Sequence, residues 1–112
     1  MGLGPVPAVY RLLKKTGLTL EDIDILEINE AFAAQVLGCC KEWGNYIGTP
    51  LYERINPNGG ACAIGHPLGM TGVRLVGTTV FELNETGKKY GIATACIGGG
   101  QGAAILIENA MI

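Results

Sequence analysis

Two glycine-rich stretches limit what this chain can fold into more than any other feature. The first reads N-P-N-G-G-A-C-A-I-G-H-P-L-G-M-T-G from Asn56 to Gly72, and the second C-I-G-G-G-Q-G-A-A from Cys96 to Ala104. Glycine loses the most conformational freedom on folding and adds no side chain to a core, so neither stretch suits a long helix or strand. Each must be a shaped turn or loop between regular elements. Each also carries one group able to handle a proton, His66 and Cys96, in backbone open enough for N–H groups to approach a ligand.

The intervening segments alternate in period. Pro5 and Pro7 suit a helix's first turn, and Val9, Leu12, Leu13 and Thr16 share one face before Gly17, which predicts a helix over 5–16. Thr19 with Asp22 three positions on caps a short turn, and 24–28 is apolar and β-branched enough for a buried strand. Phe32, Ala33, Val36, Leu37 and Cys40 form a helical stripe reaching about Trp43, followed by a loop over 44–50. A short strand is expected near 54–57, then no regular structure of any length until a helix over 69–85. That helix is expected to bury Val73, Val76, Val80 and Leu83, with Gly87 as its C-cap. Tyr90–Ala95 and Ala103–Glu108 read as strands joined so tightly that they must be antiparallel. The expected fold is therefore α/β, one layered domain over 1–112 with a mixed sheet ending in an antiparallel hairpin.

Composition removes several classes of function. Eight Lys and Arg against ten Asp and Glu give a formal net charge of −2, and no basic run or aromatic ladder suits a nucleic acid. The four cysteines, Cys39, Cys40, Cys62 and Cys96, form no C-x-x-C pair and have no histidine at ligand spacing, against a metal site or disulfide framework. A reducing, cytoplasmic setting fits better. No basic-then-apolar leader, 18-residue apolar run or Ser-Lys-Leu terminus is present, so a soluble chain with no membrane partner is expected. Neither phosphate-loop nor dinucleotide glycine signatures occur, against a nucleotide cofactor.

On this map Asn29 follows the first strand, His66 follows the second through a glycine loop, and Cys96 ends the third. Ligands in open α/β sheets bind beyond the carboxyl ends of parallel strands, so three separately encoded polar groups are expected at one edge. Each also has an ordinary reading. His66, the only histidine, is either structural or a base, since imidazole suits proton traffic near neutrality. Cys96 is either a small core hydrophobe or a reactive thiol with access through the glycines after it. Gly98 serves the hairpin turn, and Asn29 is a candidate N-cap for a helix starting at Glu30.

The string N-E-A-F-A from Asn29 to Ala33, then G-G-x-x-x-x-G-H-P-x-G-x-T-G, then C-I-G-G-G-Q-G, resembles the carboxyl-terminal half of thiolases in order and spacing. The resemblance implies acyl transfer between CoA thioesters: thiolysis of 3-ketoacyl-CoA or condensation of acetyl-CoA. By the same resemblance His66 activates a nucleophilic cysteine and hydrogen-bonds a thioester oxygen, and Cys96 moves the substrate's α-proton. The Gly98 N–H holds an oxyanion, and Asn29 orders a water that pairs with His66 in a second oxyanion hole. Glu30 and Phe32 then support the site, while Cys39, Cys40 and Cys62 are core or partly buried thiols. Acyl-CoA and CoA enter as substrates, with no resident cofactor. The related β-ketoacyl synthases normally place a second histidine where this chain has Asn29.

The resemblance also implies partners. Met1–Ala8 is similar to a segment well inside full-length thiolases, past their nucleophile, so the expected partner is the amino-terminal half within a homo-oligomer of the full enzyme. With the family's strand order taken as 3-2-1-4-5, the first, central strand is missing and the sheet is expected to have an internal gap. Such unpaired edges need partners, so the chain is expected to associate, rearrange or belong to a cleaved protein. The competing reading is a non-catalytic module that dimerises or binds a partner through those edges.

Overall fold

The structure, a computed structural model, describes residues 1–45 and 47–112. Tyr46, inside the loop expected over 44–50, lies outside the described residues. Helix α1 spans Pro5–Thr16 and stops where Gly17 takes φ 76°, its N–H donating to the Leu13 carbonyl at 2.9 Å. Thr19 and Asp22 form the expected capping box around a single 3-10 turn, Leu20–Asp22, with the Thr19 N–H donating to Asp22 Oδ2 at 2.8 Å. Strand β1, Ile25–Ile28, is buried at all four positions. Helix α2 follows over Ala33–Glu42, then a 3-10 turn over Tyr52–Arg54, a one-turn helix α3 over Ala61–Ile64, and helix α4 over Thr71–Thr86. Strands β2, Tyr90–Ile97, and β3, Gln101–Glu108, close the chain.

The three strands form one mixed sheet in the order β1-β2-β3. β1 runs parallel to β2, from Ile25 opposite Gly91 to Ile28 opposite Thr94. The Asp24 carboxylate fixes that register by accepting the N–H groups of Lys89 at 3.0 Å and Tyr90 at 3.1 Å. β2 and β3 are antiparallel from Tyr90 opposite Glu108 to Ile97 opposite Gln101, as so short a connection requires. On its other side β1 meets the chain again through one parallel bridge, Leu26 to Ile55.

Alternation along the strands divides the two faces. Leu26, Ile28 and Ile92 point into a cluster with Val9 and Leu13 of α1, Cys39 of α2 and Trp43, the residue that caps α2. The opposite face takes α4, where Thr79 and Leu83 pack so closely on Gly91 that a Cβ there would collide with the Thr79 methyl. The result is a three-layer α/β/α sandwich.

Four expectations need correction. The sheet has no internal gap, because β1 and β2 are hydrogen-bonded neighbours from Asp24 N–H on Tyr90 O at 2.8 Å to Asn29 N–H on Thr94 O at 3.0 Å. The strand expected near 54–57 does not form: Arg54 ends the 3-10 turn, and a single bridge at Ile55 follows it. The glycine segment does hold a turn of helix, α3. Finally, α4 buries Thr71, Leu75, Thr79 and Leu83, leaving Val73 76% exposed and Val80 40% exposed. Thr79 can face the sheet because its hydroxyl donates to the Leu75 carbonyl at 2.7 Å, which leaves the methyl as its packing surface.

The amino end of α1 lies directly on the backbone of β3. A Cβ on Gly102 would strike the Gly4 carbonyl, and one on Gly4 would strike the Gln101 carbonyl, so neither neighbour is a flexible side chain that can yield. Gly102→Ala is therefore expected to cost about 2–3 kcal/mol by overpacking, read as a lower urea midpoint. Gly17→Ala meets open space and strains only a left-handed turn, so its expected cost is smaller, about 1 kcal/mol. Equal losses would show that the α1–β3 approach is not what Gly102 serves.

Candidate functional site

The site is organised by Asn56, the one non-glycine residue at positive φ among those described, at 45°. Its main-chain N–H donates to Leu26 O at 3.0 Å. Its side-chain amide then does what the next strand residue would do: Oδ1 accepts the Ile28 N–H at 2.8 Å, and Nδ2 donates to Ile28 O at 2.9 Å. Asparagine tolerates this left-handed conformation because its short amide makes such local bonds. Nδ2 also reaches Glu30 Oε2 at 3.0 Å, and Glu30 Oε1 accepts the Cys62 N–H at 3.0 Å. Glu30 therefore ties the loop after β1 to the glycine loop, and Gly60 is bare because a Cβ would lie 2.7 Å from the Glu30 carboxyl.

This lacing sets the three motifs at the carboxyl end of the parallel strands. Asn29 follows β1 directly, is 2% exposed, and does not cap α2, whose N-cap is Phe32. Its Oδ1 is buried and accepts no hydrogen bond from the described residues. Cys96 lies near the end of β2, half-buried, opposite Gly102 and two residues beyond Thr94, the residue paired with Ile28. Gly98 opens the turn that follows, where Gly99 and Gly100 take φ 81° and 88°. His66 is exposed on the loop leading into α4, and its Nδ1 lies 2.6 Å from Thr71 Oγ1. A helix returning from the Ile55 bridge to the start of β2 must begin at the carboxyl end of the sheet, which puts His66 on the same side as Asn29 and Cys96. His66 makes no hydrogen bond to either.

The remaining cysteines separate by burial. Cys39 is enclosed, its thiol donating to Gly2 O at 3.4 Å, and burial pushes it up to about 11. Burial raises Cys40 as well. Cys62, expected in or near the core, is instead exposed at the start of α3, because Glu30 claims its N–H and leaves its side chain outward. Among the described residues no three His, Cys, Asp or Glu side chains converge as a metal site would require.

Known proteins share both the sequence and this geometry. Residues 1–109 match the family described as "Thiolase, C-terminal domain". The chain belongs to the thiolase family. It is 51% identical over 109 residues to the β-ketoadipyl-CoA thiolase of Pseudomonas aeruginosa and 49% identical over 108 to the acetyl-CoA acetyltransferase of Syntrophomonas wolfei. Those alignments take in 97% and 96% of this chain but 26% of each relative, so the chain spans about a quarter of their length. Two crystal structures of human mitochondrial 3-ketoacyl-CoA thiolase, one of them in complex with CoA, superpose with TM-score 0.90 at 48% identity, over 97% of this chain and 26% of that one.

Within this thiolase domain, sequence reasoning missed Asn56 and a buried ion pair. Glu27, two residues before Asn29, is fully buried with Oε1 3.9 Å from Arg74 Nη1 of α4. Among the described residues neither carboxylate oxygen has a hydrogen-bond partner, and Arg74 Nε and Nη2 have none either. An acidic residue inside a four-residue buried strand was the available signal. Burial pushes Glu27 up to about 7, against the pull of Arg74 and with help from Glu30 and Glu82. The fold thus holds the Glu27 proton more tightly than the unfolded chain does. The Glu27 contribution to stability is greatest below the ordinary glutamate range, falls as pH rises from about 4.5 to about 7, and then levels. The expected loss between about pH 5 and about pH 8 is roughly 2–3 kcal/mol by urea unfolding, and Glu27→Gln should abolish that slope. A wild-type slope retained in the variant would assign it elsewhere.

Proposed function

We propose that this chain supplies the acid/base half of a thiolase active site and carries out acyl transfer between CoA thioesters together with an amino-terminal half bearing the nucleophilic cysteine. The observation that carries the reading is the placement of Asn29, Cys96 and the His66 loop at one end of the sheet, on segments that also expose Phe32, Ile64, Leu68 and Ile97. Exposed apolar residues rimming polar groups mark a surface made to be covered. The CoA complex of the human mitochondrial relative supports a CoA thioester as the substrate class.

In this reading His66 takes the proton of the partner's cysteine, whose thiolate attacks the thioester carbonyl. The carbon–sulfur bond to CoA breaks and CoA leaves as a thiolate, while His66 keeps the proton it accepted. The Cys96 thiolate then removes an α-proton from a second acyl-CoA. The enolate attacks the acyl-enzyme carbonyl, forming the carbon–carbon bond as the acyl–sulfur bond breaks; His66 returns its proton to the released cysteine, and Cys96 gives the α-proton up to solvent, where it balances the CoA thiolate. The Gly98 N–H, with the nucleophile's own N–H, holds the oxyanion of the acyl step. Asn29 Oδ1, buried with no donor among the described residues, is suited to hold a water that joins His66 at the enolate oxygen. No resident cofactor is needed. The complete enzyme would be a cytoplasmic homo-oligomer.

Co-expression with the amino-terminal half of a thiolase, followed by separate assays of acylation and condensation, tests the assignment. Cys96→Ala should lower condensation by at least about 10³-fold while CoA release on acylation stays within a few-fold. Equal loss of both steps would refute the role of Cys96. An assembled complex with no transfer at all would favour the non-catalytic module.

A further inference from the structure

We propose that Thr71 is a positioning residue that holds His66 in the tautomer carrying its proton on Nδ1, leaving Nε2 as the basic nitrogen. Thr71 is 3% exposed at the first turn of α4, and its Oγ1 has two close neighbours: His66 Nδ1 at 2.6 Å and the Pro67 carbonyl at 3.1 Å. The Pro67 carbonyl can only accept, and it also takes the N–H groups of Met70 at 3.0 Å and Thr71 at 3.1 Å. A hydroxyl has one proton to give. If Thr71 gave it to Nδ1, Oγ1 would face the Pro67 oxygen with no proton between them. If Thr71 gives it to Pro67 O, its lone pair receives Nδ1–H, and each contact has one donor and one acceptor.

The arrangement serves both charge states of the ring. Neutral His66 with Nδ1–H and protonated His66 both present a donor to Thr71, so the hydroxyl need not turn when Nε2 gains a proton. A partner that requires no reorganisation during proton transfer is what preorganisation means. The bond made by one ring nitrogen determines what the other can do, and here that bond is anchored to a proline carbonyl and a helix start. Its use in catalysis rests on the role proposed for His66, whereas the tautomer itself does not.

Because His66 is the only histidine, a long-range proton–nitrogen spectrum of the ¹⁵N-labelled chain contains one imidazole. Above the titration range of the ring, wild type and Thr71→Ser are expected to show a protonated Nδ1 and a bare Nε2, and Thr71→Val a majority with the proton on Nε2. A wild-type ring protonated on Nε2 overturns the inference, as does a folded Thr71→Val with an unchanged tautomer. Should Thr71→Val not fold, wild type and Thr71→Ser still decide. In the assembled enzyme Thr71→Val is expected to lower kcat by roughly 10–100-fold with KM little changed, with Thr71→Ser restoring most of the rate. Full activity of both His66→Ala and Thr71→Val beside a Thr71-dependent tautomer would sink the catalytic reading and leave the positioning contact standing.

Discussion

The fold's working end depends on one side chain standing in for a strand. β1 is only four residues long, and past Ile28 its outer backbone groups have no further strand to pair with. Asn56 supplies the pairing from its side chain, satisfying the N–H and carbonyl of Ile28 while its own N–H bonds Leu26. A buried backbone group left unpaired costs about 1–3 kcal/mol, so two groups served by one amide are a strong constraint on where the chain can run. Glu30 extends the lacing to the Cys62 N–H. The glycine loop consequently leaves the sheet at a fixed place and direction, and every later element of the site inherits that placement.

The two faces of the sheet contribute differently. The face under α1 and α2 is apolar, built from Leu26, Ile28, Ile92, Val9 and Trp43, and holds the layers together by burial. The face under α4 mixes Leu75 and Leu83 with Thr79, Arg74 and Glu27. A buried pair 3.9 Å apart with unsatisfied atoms on both partners adds little stability, since desolvation offsets most of the Coulombic gain. What such a pair can do is fix the register of α4 on β1. That register is also what sets Thr71, and through it the His66 ring, relative to Asn29.

Much of this was legible in the sequence where local chemistry decides structure. Helix α1 falls on its expected bounds because prolines begin it and Gly17 ends it, and the Thr19–Asp22 capping box forms as read. The hairpin follows from a connection too short for anything else. The misses come where tertiary contacts override pattern. Val73 and Val80 continue an apolar stripe, yet Thr71 and Thr79 are buried because each hydroxyl finds the carbonyl four residues before it. Asn56 stands at the start of a glycine motif in sequence, but its meaning lies in bonds to residues 28 positions earlier, which no local pattern encodes. His66 and Cys96 stood out by chemistry. Thr71 did not, because its role depends on a ring nitrogen five residues away in a loop whose shape no periodicity reports.

The direct β1–β2 contact bears on how this thiolase domain holds together. A chain that had lost a central strand would have to rearrange to pair the exposed edges, and its similarity to complete relatives would suffer. A TM-score of 0.90 over 97% of the chain with the human mitochondrial enzyme shows the opposite. So close a likeness over nearly the whole chain fits the direct β1–β2 pairing and speaks against the strand order 3-2-1-4-5. The internal sheet edges are therefore already satisfied and give no reason for a partner to insert between strands. The surface that does ask for a partner is at the loop end, where Phe32, Ile64, Leu68 and Ile97 are exposed around Asn29, His66 and Cys96. Covering those residues would exclude water from the polar groups among them and strengthen every electrostatic contact there, so what completes the apolar surface and what completes the chemistry can be the same partner.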